Sequence, residues 1–193
     1  QSPGSGSVTV LRNRIQGNQA GSGDGGGIVL RRINGQDVLA GGRATWHEIG
    51  IFNNLIVNNV AGYRAGGLIM QDALKVRLIN NTIANNDSTA TAGNALPPAI
   101  FTTQGATSTA QPAGVVLLAP STELTTGLTA QQLQLVTAPA SNPDVLNNIV
   151  LGNRSLVWST TTPVGGLPNS PGAGAGTLAP AAQPFWDLAV VGA

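Results

Sequence analysis

The chain has no cysteine, a single histidine, few aromatics (4%) and few charged side chains (9%). The absence of cysteine excludes disulfides, thiolate metal sites, CxxCH haem attachment and thiol nucleophiles. Ordinary globular proteins carry roughly 25% charged residues. Asn, Gln, Ser, Thr and the backbone must therefore keep this chain in solution, a profile of extracellular repeat proteins more than of cytosolic enzymes. Net charge is +1, and the tightest basic clusters are Arg12/Arg14 and Arg31/Arg32. Two pairs do not make the basic groove that nucleic acid requires. No apolar run approaches the ~20 residues of a membrane-spanning helix. Hydrophobic residues make up 41% of 193, enough for one domain with a core and too many for wholesale disorder. A start at Gln1, without Met or leader, reads as a processed exported chain or a piece of a longer protein.

What is present is a repeat. The segments 13–18, 54–59, 81–86 and 148–153 share the pattern Asn, any, Ile or Val, any, Asn or Gly, Asn. The match extends upstream. One column holds Val10, Ile51, Leu78 and Val145, and the next holds Leu11, Phe52, Ile79 and Leu146. Two positions before the first column stand Val8, Ile49, Val76 and Pro143, with Thr9, Gly50, Arg77 and Asp144 between. Such alternation predicts strands with apolar residues inward. Asn and Gly then supply the bends, because both tolerate left-handed backbone. Repeated Asn side chains also stack as hydrogen-bonding ladders, which is the reading preferred over glycosylation at Asn80, Asn86 and Asn153.

A second strand follows in register at Gly26-Gly-Ile-Val-Leu30, Gly66-Gly-Leu-Ile-Met70 and Ala113-Gly-Val-Val-Leu117. Asn54 to Asn81 spans 27 residues, a plausible full turn, and the gaps of 41 and 67 on either side are explained by insertions. Insertions near 34–48, 88–111 and 119–142 leave stacked strands undisturbed. The fold expected is all-β: a short right-handed parallel β-helix of about four coils over 1–158. At about 4.8 Å per coil the stub is about 15–20 Å tall. Gly, Pro and β-branched residues argue against long helices, with one short helix expected over 128–135. Residues 159–184, rich in Thr, Pro, Gly and Ala, read as an extended linker, and 185–193 as a C-terminal strand or cap.

The runs Asn80-Asn-Thr-Ile-Ala-Asn-Asn86, Ala65-Gly-Gly-Leu-Ile-Met70 and 147–158 resemble right-handed parallel β-helix repeat proteins of the pectate-lyase-like superfamily. They are most similar to large bacterial surface proteins with Gly-Gly-Ile and Asn-Thr-Ile-x-x-Asn repeats. The closing run Phe185-Trp-Asp-Leu-Ala-Val-Val191 is similar to the ends of such regions. The resemblance covers about two thirds of the chain and specifies a fold, since the superfamily holds lyases, glycoside hydrolases and adhesins.

Polysaccharide lyases of that fold hold calcium on clustered carboxylates and use Arg or Lys as base. Here the resemblance singles out Asp72, Lys75 and Arg77, a mixed-charge patch, among Asp24, Asp37, Asp87, Arg31 and Arg64. No carboxylate recurs at one repeat position, so a solvated edge is the plainer reading. The carboxyl pair of a glycosidase is offered only by Asp24/Asp72 or Asp72/Asp87. Asp24, in a Gly-rich run, is a weak calcium candidate and more simply a corner. Lone His47 lacks the partners of a triad. Trp46 and Tyr63, with Phe101, are candidate sugar-stacking rings, whereas Trp158 and Trp186 read as caps over an open end. The function expected is a non-catalytic extracellular or cell-surface structural protein. Its partners are other subunits or further segments of one large protein, and it needs no cofactor. The alternative is a carbohydrate-active or glycan-binding β-helix.

Overall fold

A computed structural model describes residues 6–34, 41–101, 103, 105–136, 141–160 and 176–191. The chain is mostly β, and it visits four sheets in the same order four times over. The first pass, here called a rung, holds β1 (Val8–Leu11), β2 (Arg14–Gln16), β3 (Gln19–Ala20) and β4 (Ile28–Arg31). The second holds β5 (Ile49–Phe52), β6 (Leu55–Val57), β7 (Val60–Ala61) and β8 (Leu68–Gln71). The third holds β9 (Val76–Ile79), β10 (Thr82–Ala84), β11 (Asp87–Ser88) and β12 (Val115–Leu118). Two short helices follow, α1 (Thr122–Thr126) and α2 (Ala130–Val136), the second lying over the stretch where the sequence predicts one. The fourth rung holds β13 (Asp144–Leu146), β14 (Ile149–Leu151) and β15 (Arg154–Thr160), then β16 (Gly176–Phe185) and β17 (Leu188–Val191).

Equivalent strands of successive rungs pair in parallel, and the register follows the sequence columns. Val10, Ile51, Leu78 and Val145 are Cα partners, as are Ile28, Leu68, Val115 and Leu188. A one-residue slip would turn the apolar columns outward, so burial itself fixes that register. Ile49, Ile51, Ile56, Leu68, Met70, Leu78 and Ile83 form one core inside the four sheets. The bends are left-handed single residues. Asn53, Asn80 and Asn147 take φ of 55°, 58° and 52° at one corner, and Asn58 and Asn85 take 54° and 55° at the next. Gly17 and Gly152 occupy that second corner in the outer rungs, with φ of 70° and 66°.

Part of the segment expected as a linker is strand. β15 runs to Thr160, and β16, over 176–185, pairs with it antiparallel. A bare strand edge is a row of unpaired backbone groups, and β16 covers that of β15 although it contains Pro180 and Pro184, which an outermost strand tolerates. Residues 161–175 of that segment lie outside the described residues. Within 185–193, read from the sequence as a strand or cap, β17 pairs in parallel with β12.

Candidate functional site

The charged residues singled out by resemblance each have a different partner. Asp72 is buried at a corner with φ of 55°. Its carboxylate accepts from the Ser121 N–H (2.8 Å) and Oγ (2.6 Å), and Ser121 Oγ in turn accepts from Leu124 N–H as the N-cap of α1. The Lys75 ammonium donates to the Trp46 carbonyl at 3.4 Å. Arg77 faces Glu48 at 3.5 Å and lies 5.5 Å over the Phe52 ring. Among the described residues no hydrogen bond or ion pair joins Asp72, Lys75 and Arg77 to one another. Asp72 is therefore a staple between a corner and the third insertion.

Asp24 is nearly buried and saturated by two guanidinium groups. Arg64 binds it through Nε (3.0 Å), Nη2 (3.1 Å) and its own backbone N–H (3.2 Å), and Arg31 pairs with the second oxygen. The Arg64 guanidinium in turn lies 4.5 Å over the half-buried Tyr63 ring. Asp87 is bound by Arg154 at 2.6 and 2.8 Å. That hydrogen bond, and then the carboxylate charge, raise the Arg154 guanidinium above its ordinary pKa against a lowering by burial. Among the described residues no three His, Asp or Glu side chains are grouped as a metal site. Asp37 lies outside the described residues, and so does the side chain of Phe101.

Trp46 is not an exposed platform. It is 4% exposed, packed with Leu74, Leu128 and Leu133, so it joins the first insertion to the α2 region. Its buried Nε1 has no hydrogen-bond partner among the described residues. Beside it the His47 backbone is held by the buried Asn34 side chain through N–H (2.7 Å) and carbonyl (3.2 Å). Trp158 is buried in β15, its N–H given to Ser108 Oγ at 2.8 Å. Trp186 lies at the fourth rung, where its carbonyl accepts from Ala113 and Gly114.

The features that run through the whole molecule are two asparagine ladders, one at each corner flanking the second sheet. At the first corner Asn13 donates from N–H and Nδ2 to Asn54 Oδ1, Asn54 to Asn81, and Asn81 to Asn148, all at 2.8–3.2 Å. At the second, Asn18 donates to Asn59, Asn59 to Asn86 and Asn86 to Asn153, at 2.8–3.1 Å. The remaining Nδ2 hydrogen reaches back to a carbonyl of the rung before, as from Asn86 to Ile56 at 3.0 Å. Each inner Asn thus has every polar atom of its amide matched, which is what permits full burial. The Asn86 and Asn153 sequons are spent in this way.

The second ladder ends on Asp187, whose Oδ1 accepts from Asn153 N–H (2.9 Å) and Nδ2 (2.7 Å). A carboxylate has no proton to pass on, so it closes the chain of donors. Asp187 was missed in the sequence, but it left a signal. In the column of Gly27, Gly67 and Gly114 it is the residue that is not Gly.

Both ends of the stack leave core columns bare. Val8 is 43% exposed where Ile49 and Val76 below it in the column are each 2%, and Val145 is 52% where Ile51 and Leu78 are 0% and 1%. On the outer face of the third sheet a cavity of about 360 Å³ is lined by Gln19, Gly21, Val60, Gly62, Thr89, Thr91 and Leu178, with no charged residue among them. No family model, curated protein or solved structure matches the chain.

Proposed function

We propose that the chain is a short right-handed parallel β-helix of the pectate-lyase-like kind, serving as a non-catalytic structural module outside the cell. Its role on this reading is to stack against other protein subunits or further segments of a larger protein, without a cofactor. One observation carries the reading. The ladders tie four rungs around one apolar core into a single stack whose two ends expose core columns and strand edges, and such edges are stable only when something covers them. Engagement of Asp24, Asp72 and Asp87 by Arg and Ser supports the same reading, because a calcium-dependent lyase needs carboxylate oxygens free for the ion. No helix among the described residues is long and apolar enough to cross a membrane.

The test is incubation with acidic and neutral polysaccharides in calcium, following unsaturated products by absorbance and new reducing ends. The expected result is no product. Product that disappears in Lys75→Ala or Arg77→Ala would establish the lyase instead.

Glycan binding without cleavage is the second reading. The uncharged cavity between Gln19, Thr89 and Thr91 favours it, since side-chain amide and hydroxyl groups suit a neutral sugar. Titration with neutral oligosaccharides, comparing the parent with Gln19→Ala, decides between them. Heat of binding lost in the variant would support a sugar site.

A further inference from the structure

Resting on the stacked-coil reading above, we infer that the underside of the first rung docks one further coil, from outside the four rungs of this chain. That coil carries Asn at both ladder corners and Gly in the column of Gly27.

The ladders have a direction, and direction makes the two ends chemically unlike. Every Asn-to-Asn hydrogen bond of the two ladders runs from the lower-numbered rung to the Oδ1 of the higher-numbered one. At the first rung this leaves Asn13 Oδ1 and Asn18 Oδ1 as acceptors that receive no hydrogen bond among the described residues, each set beside a strand edge. What docks there must bring donors to two fixed points, from an N–H and an amide side chain at each. Asn in a parallel strand brings both, as Asn54 and Asn59 do one rung further on.

The glycine column sets a second requirement. A Cβ on Gly27 would stand 2.5 Å from the Gly67 carbonyl oxygen, and one on Gly67 2.7 Å from that of Gly114. This column points its missing side chain at the backbone of the following rung. A coil placed before the first rung would aim the same position at the Gly27 carbonyl, so its residue must lack a Cβ.

A second copy of this chain does not meet these terms. Its fourth rung has Asp187 in that column, with a Cβ where no Cβ fits and a carboxylate where a donor is required. There β16 also covers β15, the strand that β3 of the first rung would have to meet. Two first rungs face to face would set acceptor against acceptor at both corners. The fourth rung is built as a stop and the first as a seat, and the seat fits a coil from elsewhere. Val8, Leu11 and Val29 add apolar surface to it, all more than 40% exposed.

The test uses residues 49–75 as the probe coil, inserted into the full chain between Ser7 and Val8. The insert is one 27-residue period, so its Lys75 precedes Val8 as Lys75 precedes Val76. It carries Asn54, Asn59 and Gly67 in the required places. Amide exchange over residues 8–31 is expected to slow about tenfold or more, and the unfolding midpoint to rise by several degrees. The same insert bearing Asn54→Asp and Asn59→Asp, or Gly67→Asp, is expected to lose both effects. As a second route, the 27 residues are added as a free peptide to the full parent chain, and should slow the same amides. No slowing from either form overturns the inference, as does equal protection by the Asp-bearing inserts. Self-association of the parent chain with protection over 8–31 would make the second copy the occupant and overturn it too. Free exchange of the Asn54 and Asn86 amides in the parent chain would instead bring down the stacked-coil reading itself, an outcome visible before any probe is added.

Discussion

The two asparagine ladders begin alike and finish differently. Each starts on an exposed asparagine, Asn13 or Asn18, and passes through two that are buried. At the fourth rung the first ladder stops on Asn148, which remains half-exposed and turns its Nδ2 back to the Leu78 and Leu146 carbonyls. The second continues from Asn153 to Asp187, and Asn153 is fully buried. An unpaired buried amide costs about 1–3 kcal/mol, whereas one matched to a carboxylate makes a charge-assisted bond. One acidic residue therefore decides whether the last asparagine of a ladder is interior or surface.

Substitutions along the ladders should grade by position. Asn86→Ala strips the acceptor from both Asn59 donors and the donor from the Ile56 carbonyl, all in the interior. It is expected to cost about 3–4 kcal/mol, read as a fall of about 6–16 °C in the unfolding midpoint at this chain length. Gly114→Ala comes next. Its Cβ would stand 2.1 Å from the Asp187 carbonyl oxygen and 2.9 Å from Asn153 Nδ2. The backbone of the fourth rung must shift, at about 1–3 kcal/mol, with denaturant midpoints as the measure. Asp187→Ala should cost about 2 kcal/mol by leaving Asn153 N–H and Nδ2 unpaired, and Asp187→Asn about half as much because an acceptor remains. Asn148→Ala, at the uncapped finish, also removes the acceptor of Asn81 N–H and Nδ2, but at a half-exposed position that water reaches, and should cost about 1 kcal/mol. If Asn148→Ala matched Asn86→Ala in a chemical unfolding series, the distinction between capped and uncapped ends would be lost.

The sequence made the rungs legible because each is fixed by local periodicity and repeated in register. Even the two jobs of asparagine can be separated there. The corner where Gly alternates with Asn (Gly17, Asn58, Asn85, Gly152) is the left-handed bend, and the positions that hold Asn in all four rungs are the ladders. What the sequence hid are contacts between segments far apart in number. Asp72 grips Ser121 across 49 residues, and Trp46 is buried under leucines from beyond residue 70. Both read on composition as surface chemistry. β16 escaped notice because Pro180 and Pro184 argue against a strand, yet an outermost strand with one partner tolerates them. Asp187 was visible only as a broken glycine column, a signal that carries meaning once that column is known to face the next rung.

Residue-resolved amide hydrogen exchange of the four inner and final asparagines tests the account most directly. Asn153 N–H, bound by Asp187 Oδ1, should exchange as slowly as Asn81 and Asn86, while Asn148 N–H exchanges at least tenfold faster. Equal rates at Asn148 and Asn153 would contradict it.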